Sequence, residues 1–174
     1  VTGTNGKTTT ANYINEVLKA GGHKTALFTT ALIEVAGKSE PNKTHFTLVK
    51  QSLVQQFFAR SKKANVDWVV LEVTSHAIDQ HRIMGVPVEV AVMTNLTQDH
   101  LDYHGTMEEY ARVKSLLFSA FKPRFCILNT DDDWYQFFSD RSVGRSVTYG
   151  KSEGATFCLQ SQQSGTEGST AKFA

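Results

Sequence analysis

Short apolar runs alternate along this chain with stretches whose apolar residues recur every three or four positions. "KTALFTT" (24–30), "DWVVLEV" (67–73), "VEVAVMT" (88–94) and "RFCILN" (124–129) are rich in Val, Leu, Ile and Phe. Runs apolar at consecutive positions predict strands buried on both faces, as in a mostly parallel sheet. Between them, "TTTANYINEVLKAGG" puts Ile14, Val17 and Leu18 on one helical face and stops at Gly21 and Gly22. "TLVKQSLVQQFFARSKKA" has a similar period, and "DDWYQFF" reads as a short helix. "ALIEVAGKSE" alternates and predicts a hairpin beside the sheet. After Gly150 a weakly alternating segment rich in Ser, Gly, Gln and Thr predicts one or two edge strands and a polar loop. Strands alternating with helices predict an α/β doubly wound fold with a mostly parallel sheet. With no internal repeat and no linker, residues 1–174 read as one domain.

One helical stripe carries an anomaly. At about 100° per residue, Met107, Tyr110, Val113, Leu117, Phe118 and Phe121 share a face, and Thr106 with Glu109 forms a capping box ahead of them. Lys114 falls inside that stripe, four residues after Tyr110 and three before Leu117. Two readings are open: the stem packs in the core while the ammonium reaches out to water, or the amine belongs to a site.

Charge excludes some classes. The chain has 18 basic and 17 acidic residues, which supports neither a general nucleic-acid surface nor a membrane surface. No apolar run approaches the roughly 18 residues that span a bilayer, and no signal peptide is visible. Cys126 and Cys158 sit in the apolar runs "FCIL" and "TFCL", so two buried, reduced thiols are expected rather than a disulfide or a metal site.

The chemistry lies at the predicted strand ends. "TGTNGKTTT" lacks the first glycine of a full Walker loop, because Val1 stands there, but keeps a shorter G-x-x-G-K-T form at Gly3, Thr4, Asn5, Gly6, Lys7 and Thr8. Its glycines let backbone N–H groups face a phosphate chain. Lys7 brings positive charge, Thr8 a hydroxyl for Mg²⁺, and the following helix its dipole. Only Val1 and Thr2 precede this loop, where a buried strand is expected, so the chain reads as an excised domain or part of a longer one. Glu72, at the end of "DWVVLEV", is placed to hold Mg²⁺ beside the phosphates; otherwise it satisfies a loop. "TNLTQDHLDYHG" packs Asp99, His100, Asp102 and His104 into six residues, and His100 is the candidate metal ligand, with Asp99 or Asp102 orienting it. In "NTDDD", Asn129 and Asp131 either reach a nucleotide or cap the next helix, and the cap through Asp131 is favoured.

Together, "TGTNGKTTT", "LEVTSHAIDQHRI", "TNLTQDHLDYHG" and "YARVKSLLF" resemble the central ATP-binding domain of the Mur ligases, the MurE type (UDP-N-acetylmuramoyl-tripeptide synthetases) most of all. The resemblance covers most of residues 1–130. It implies a cytoplasmic, ATP-dependent amide ligase of peptidoglycan synthesis that adds meso-diaminopimelate or L-lysine to UDP-N-acetylmuramoyl-L-Ala-D-Glu through an acyl phosphate, assisted by two Mg²⁺ ions. It assigns Gly3 to Thr9, Thr9 included, to the phosphate loop, and Glu72 and His100 to metal ligation. Thr47, Thr74, Gln80 and Arg82 fall to the muramoyl-peptide substrate. Lys114 matches a lysine that the family carbamylates, giving an anion for magnesium. It also implies an N-terminal domain for the uridine nucleotide and a C-terminal domain for the amino acid, neither within this chain. One motif departs: where MurE-type enzymes carry a Thr-Thr-Pro-like segment, "HFTLVK" keeps Thr47 and then has Leu48 and Val49. The rival readings are a folylpolyglutamate or cyanophycin synthetase-like ligase, a P-loop kinase or motor-like ATPase, and a binding module that has lost the chemistry.

Overall fold

All four apolar runs form strands in the computed structural model, which describes residues 1–43, 48, 50–166 and 168–174. Helix α1 (Lys7–Ala20) leads into β1 (Thr25–Phe28), whose four residues are all buried. The hairpin β2 (Leu32–Val35) and β3 (Lys38–Pro41) follows, then α2 (Gln51–Lys63) and β4 (Trp68–Leu71). Its two-residue turn has Ala36 at φ 52° and Gly37 at φ 80°, the backbone that matches strand twist in tight hairpins. Beyond β4 come α3 (Ser75–Asp79), β5 (Val90–Val92), α4 (Leu101–His104) and α5 (Met107–Ser119). The chain closes with β6 (Phe125–Asn129), α6 (Tyr135–Ser139), β7 (Arg145–Gly150), β8 (Phe157–Gly165) and β9 (Gly168–Phe173).

The strands run β3-β2-β1-β4 and β5-β6-β7-β8-β9. The pairs β1–β4, β5–β6, β6–β7 and β7–β8 are parallel; both hairpins, β1–β2–β3 and β8–β9, are antiparallel. Val1 and Thr2 join the two halves. Val1 donates to Leu71 O and its carbonyl accepts from Val73 N, while Thr2 donates to Val92 O and accepts from Thr94 N. The phosphate-loop segment therefore leaves from the seam between β4 and β5, where the sheet's connections diverge, the place where α/β sheets bind ligands. Behind Val1, between these two strands, lies an apolar cavity of about 670 Å³ lined by residues such as Leu18, Val70, Val92 and Leu117.

Four local expectations change. Val17 is 70% exposed. The covered side of α1 runs through Ala11, Ile14, Asn15 and Leu18, and Val17 lies about 100° round from Leu18. Thr106 caps α5 by accepting from Glu109 N at 3.2 Å, but Glu109 turns its carboxylate to Arg112 (2.7 and 2.6 Å) instead of completing the capping box. A charged pair on one helical face wins over the return bond. Asp131 does not cap α6, whose N-cap Trp134 makes no side-chain cap bond: Asp131 Oδ1 accepts from Lys151 N, and Asp132 Oδ1 accepts from Trp134 N just ahead of the helix. Finally, Cys126 is buried but Cys158, on the outer strand β8, is only half-buried; both thiols are free. Among the described residues no helix is long and apolar enough to cross a membrane.

Candidate nucleotide and metal site

The phosphate loop is shaped by two glycines that other residues replace only with strain. Gly3 stands at φ 148° and Gly6 at φ 79°, backbone that L side chains rarely adopt. A Cβ on Gly3 would lie 1.9 Å from Thr94 Oγ1. Gly6 caps α1 without a side chain, and the first turn holds no acidic residue. The positive end of the helix is thus left for an anion. Lys7 Nζ donates to Thr4 O at 2.7 Å; its pKa is lowered by burial, against the pull of Glu72 and Asp99. Thr4 turns its hydroxyl inward, to Thr97 O at 3.1 Å, while Asn5 and Thr9 are exposed.

Glu72 ends the β4 run and is 2% exposed. Its carboxylate accepts from Thr8 Oγ1 at 2.8 Å and from both the N–H and the hydroxyl of Thr30 at 3.0 Å. The hydroxyl of Thr8 and the carboxylate of Glu72 are hard oxygen donors beside the loop, a set that suits Mg²⁺. His100 is placed differently. It sits at φ 52° as the N-cap of α4, donates its N–H to Asp99 Oδ1 at 2.8 Å, and holds Nε2 3.4 Å from Asp99 Oδ2. Asp99, rather than Asp102, is the carboxylate that touches it. Among the described residues no three His, Cys, Asp or Glu side chains converge on one metal position. Thr8 and Glu72 are brought together, whereas His100 pairs with Asp99 and packs edge-on against His76 and Tyr110.

Lys114 does not reach out to water. It is 1% exposed, and Nζ donates to Gly3 O at 2.9 Å, 4.7 Å from the centre of the Tyr110 ring. The stripe of α5 therefore sets an amine directly beneath the phosphate loop. Burial, and next the nearby Lys7, lower its pKa to about 7, with Asp99 opposing.

The candidate substrate residues gather around α3. Thr74 is its N-cap, accepting from Ala77 N at 3.2 Å. Gln80 Nε2 donates to the Tyr103 hydroxyl at 3.1 Å, and Arg82 donates to Gln80 Oε1 and to Leu48 O. Leu48 is fully buried in the main core, so the position without a hydroxyl serves packing. Thr47 lies outside the described residues. Asn129 does not face the phosphate loop directly: its Nδ2 donates to Thr94 O at 2.9 Å. Sequence reasoning missed Thr30, Asn95, Tyr110's ring under Lys114 and Asp132. Only Tyr110 left a signal, as the residue one turn before Lys114 on the same stripe.

A glycine loop at the seam of a parallel sheet, with a buried carboxylate holding its threonine, defines an α/β domain with a candidate phosphate site. Residues 1–174 match the family model of the Mur ligase middle domain, and the chain belongs to the Mur ligase family. A protein of Geobacillus kaustophilus (strain HTA426) named UDP-N-acetylmuramoyl-L-alanyl-D-glutamate--2,6-diaminopimelate ligase is 43% identical over 160 residues, 88% of this chain and 32% of that protein. A solved structure of a ligase of the same name superposes with a TM-score of 0.85 at 28% identity, covering 98% of this chain and 35% of the other. MurF ligase from Thermotoga maritima, solved with ADP, shares the fold at a TM-score of 0.68 and 20% identity, over 99% of this chain and 36% of its own. The chain thus spans about a third of the length of these proteins. Membership in this family displaces the reading as a P-loop kinase or motor-like ATPase.

Proposed function

We propose that the full-length protein is a cytoplasmic, ATP-dependent amide ligase that adds a diamino acid, meso-diaminopimelate or L-lysine, to UDP-N-acetylmuramoyl-L-Ala-D-Glu. The observation that carries this reading is the join between Thr8, on the phosphate loop, and the buried Glu72. The name of the 43% identical relative supports the substrates. The substrate carboxylate attacks the γ-phosphorus of ATP, ADP leaves, and an acyl phosphate forms. The amine of the diamino acid then attacks the acyl carbon, loses a proton, and inorganic phosphate departs from the tetrahedral intermediate as the amide forms.

The chain's residues divide this work. Loop amides from Gly3 to Gly6, with Lys7, hold the outer phosphates. Thr8 and Glu72 would hold one Mg²⁺; His100 and Lys114 would serve a second. When bound, the ions screen the phosphate charge while two anions meet. Lys114 serves as its carbamate, formed when the neutral amine attacks CO₂ and loses a proton. Thr74, Gln80 and Arg82 orient the muramoyl peptide, and Thr47 joins them in this reading. A preceding domain grips the uridine nucleotide and a following one selects the amino acid.

Purified full-length protein, given Mg²⁺, ATP, the muramoyl dipeptide and either diamino acid, is expected to yield the tripeptide product by mass spectrometry, with ADP in equal amount. ATP turnover with no amide product from any muramoyl substrate would overturn the proposal.

A further inference from the structure

The shortened phosphate loop is gripped from outside by the segment that follows β5. Thr4 N donates to Asn95 O at 2.8 Å, and Thr97 N donates to Thr4 Oγ1 at 2.9 Å. At the tip, Asn95 uses both ends of its side-chain amide: Oδ1 accepts from Asn5 N at 2.9 Å, and Nδ2 donates to Asn5 O at 3.0 Å. Thr94 Oγ1 adds a donor to Asn5 O at 2.7 Å. The gripping segment is itself fixed from the next strands. Asp132 accepts from Leu96 N at 2.7 Å, and Asn129 Nδ2 and the Tyr149 hydroxyl both donate to Thr94 O.

A full Walker loop carries a glycine where Val1 stands here. This loop has only two residues between its glycines, one of them the exposed Asn5. A short glycine loop on its own loses much conformational freedom when it orders around a ligand. A side-chain amide that pairs with a backbone amide, as a neighbouring strand would, removes that cost in advance.

We infer that Asn95 is a positioning residue that holds the tip of the phosphate loop in its anion-binding shape before nucleotide arrives, so that the β5-following segment supports the loop from outside. The inference rests on the reading of this loop as the ATP site. Asn95 acts on the nucleotide through Asn5.

The test uses the full-length protein and two variants, titrated calorimetrically with the non-hydrolysable analogue AMPPNP plus Mg²⁺ and, separately, with the muramoyl dipeptide. Asn95→Ala removes both bonds and is expected to weaken analogue binding about tenfold, with muramoyl-dipeptide affinity held within about twofold. Asn95→Asp keeps the size and the acceptor but turns a carboxylate oxygen toward Asn5 O and the phosphates. Its loss is expected to exceed that of Asn95→Ala and to shrink at high salt, as a charge effect does. Analogue binding by Asn95→Ala equal to wild type, or an equal loss for both ligands in both variants, overturns the inference. Wild-type protein that binds the muramoyl dipeptide but no analogue overturns the ATP-site reading and this inference together, so the two failures are distinguishable.

Discussion

Replacing Lys114 by Met keeps most of the buried stem and deletes the amine. In the folded protein that amine is 1% exposed and titrates near 7, against 10.5 for an ordinary lysine. The folded state holds the proton less tightly than the unfolded chain. The stability linked to this group is therefore complete above about pH 10.5 and is lost as pH falls toward 7. Integrating between those two pKa values, the loss from pH 10 to pH 7 is roughly 3–4 kcal/mol. Urea denaturation of full-length wild type and Lys114→Met, in CO₂-free buffer at pH 7, 8, 9 and 10, measures it. The stability of wild type relative to the variant is expected to fall by that amount as pH drops. The same shift leaves about nine-tenths of the Lys114 amine neutral at pH 8, where an ordinary lysine has about 0.3%. With ¹³C-bicarbonate, wild type is then expected to show a carbamate carbon resonance that Lys114→Met lacks. A stability difference that stays constant across the range refutes the reasoning, because it means that burial has not moved this amine.

Glu72→Gln keeps the acceptor for Thr8 and Thr30 but removes the charge; Mg²⁺-dependent ATP turnover in the full-length protein should fall at least about a hundredfold with an unchanged unfolding midpoint, and near-wild-type turnover would remove Glu72 from metal binding. Gly3→Ala places a Cβ 1.9 Å from Thr94 Oγ1 and 3.0 Å from Asn95 O at a positive φ, so denaturation should show a loss of about 2–4 kcal/mol; no loss would mean that the loop is not pressed against the β5-following segment. Asp132→Ala strips the acceptor from Leu96 N and Trp134 N and should cost about 1–3 kcal/mol, a cost that Asp131→Ala, read in the same denaturation assay, should not reproduce.

Much of this domain was legible before any coordinate. The strand runs, the helix around Lys114, the hairpin after β1 and the glycine loop follow from periodicity and turn chemistry, which act between residues a few positions apart. The errors sit where a local rule had two ways to be satisfied. Asp131 and Asp132 are equally good cap formers by type, yet neither caps α6: Asp131 turns to Lys151 N, and Asp132 to Leu96 N and Trp134 N. Glu109 had a backbone N–H and an arginine within reach, and took the arginine.

What the sequence by itself determined was the set of elements, the glycine loop ahead of the first helix, and the odd placing of one lysine on an apolar stripe. What only the tertiary structure decided was which distant residues meet. Thr8 and Glu72 are 64 positions apart, Asn5 and Asn95 are 90 apart, and Lys114 and Gly3 are 111 apart. Their meeting depends on strand order, with Val1 and Thr2 lodged between β4 and β5. Buried polar groups must find partners wherever that order puts them, and no local pattern carries that information. The lysine's amine therefore ends on Gly3 O, inside the domain and under the loop, because the sheet brings the loop to it.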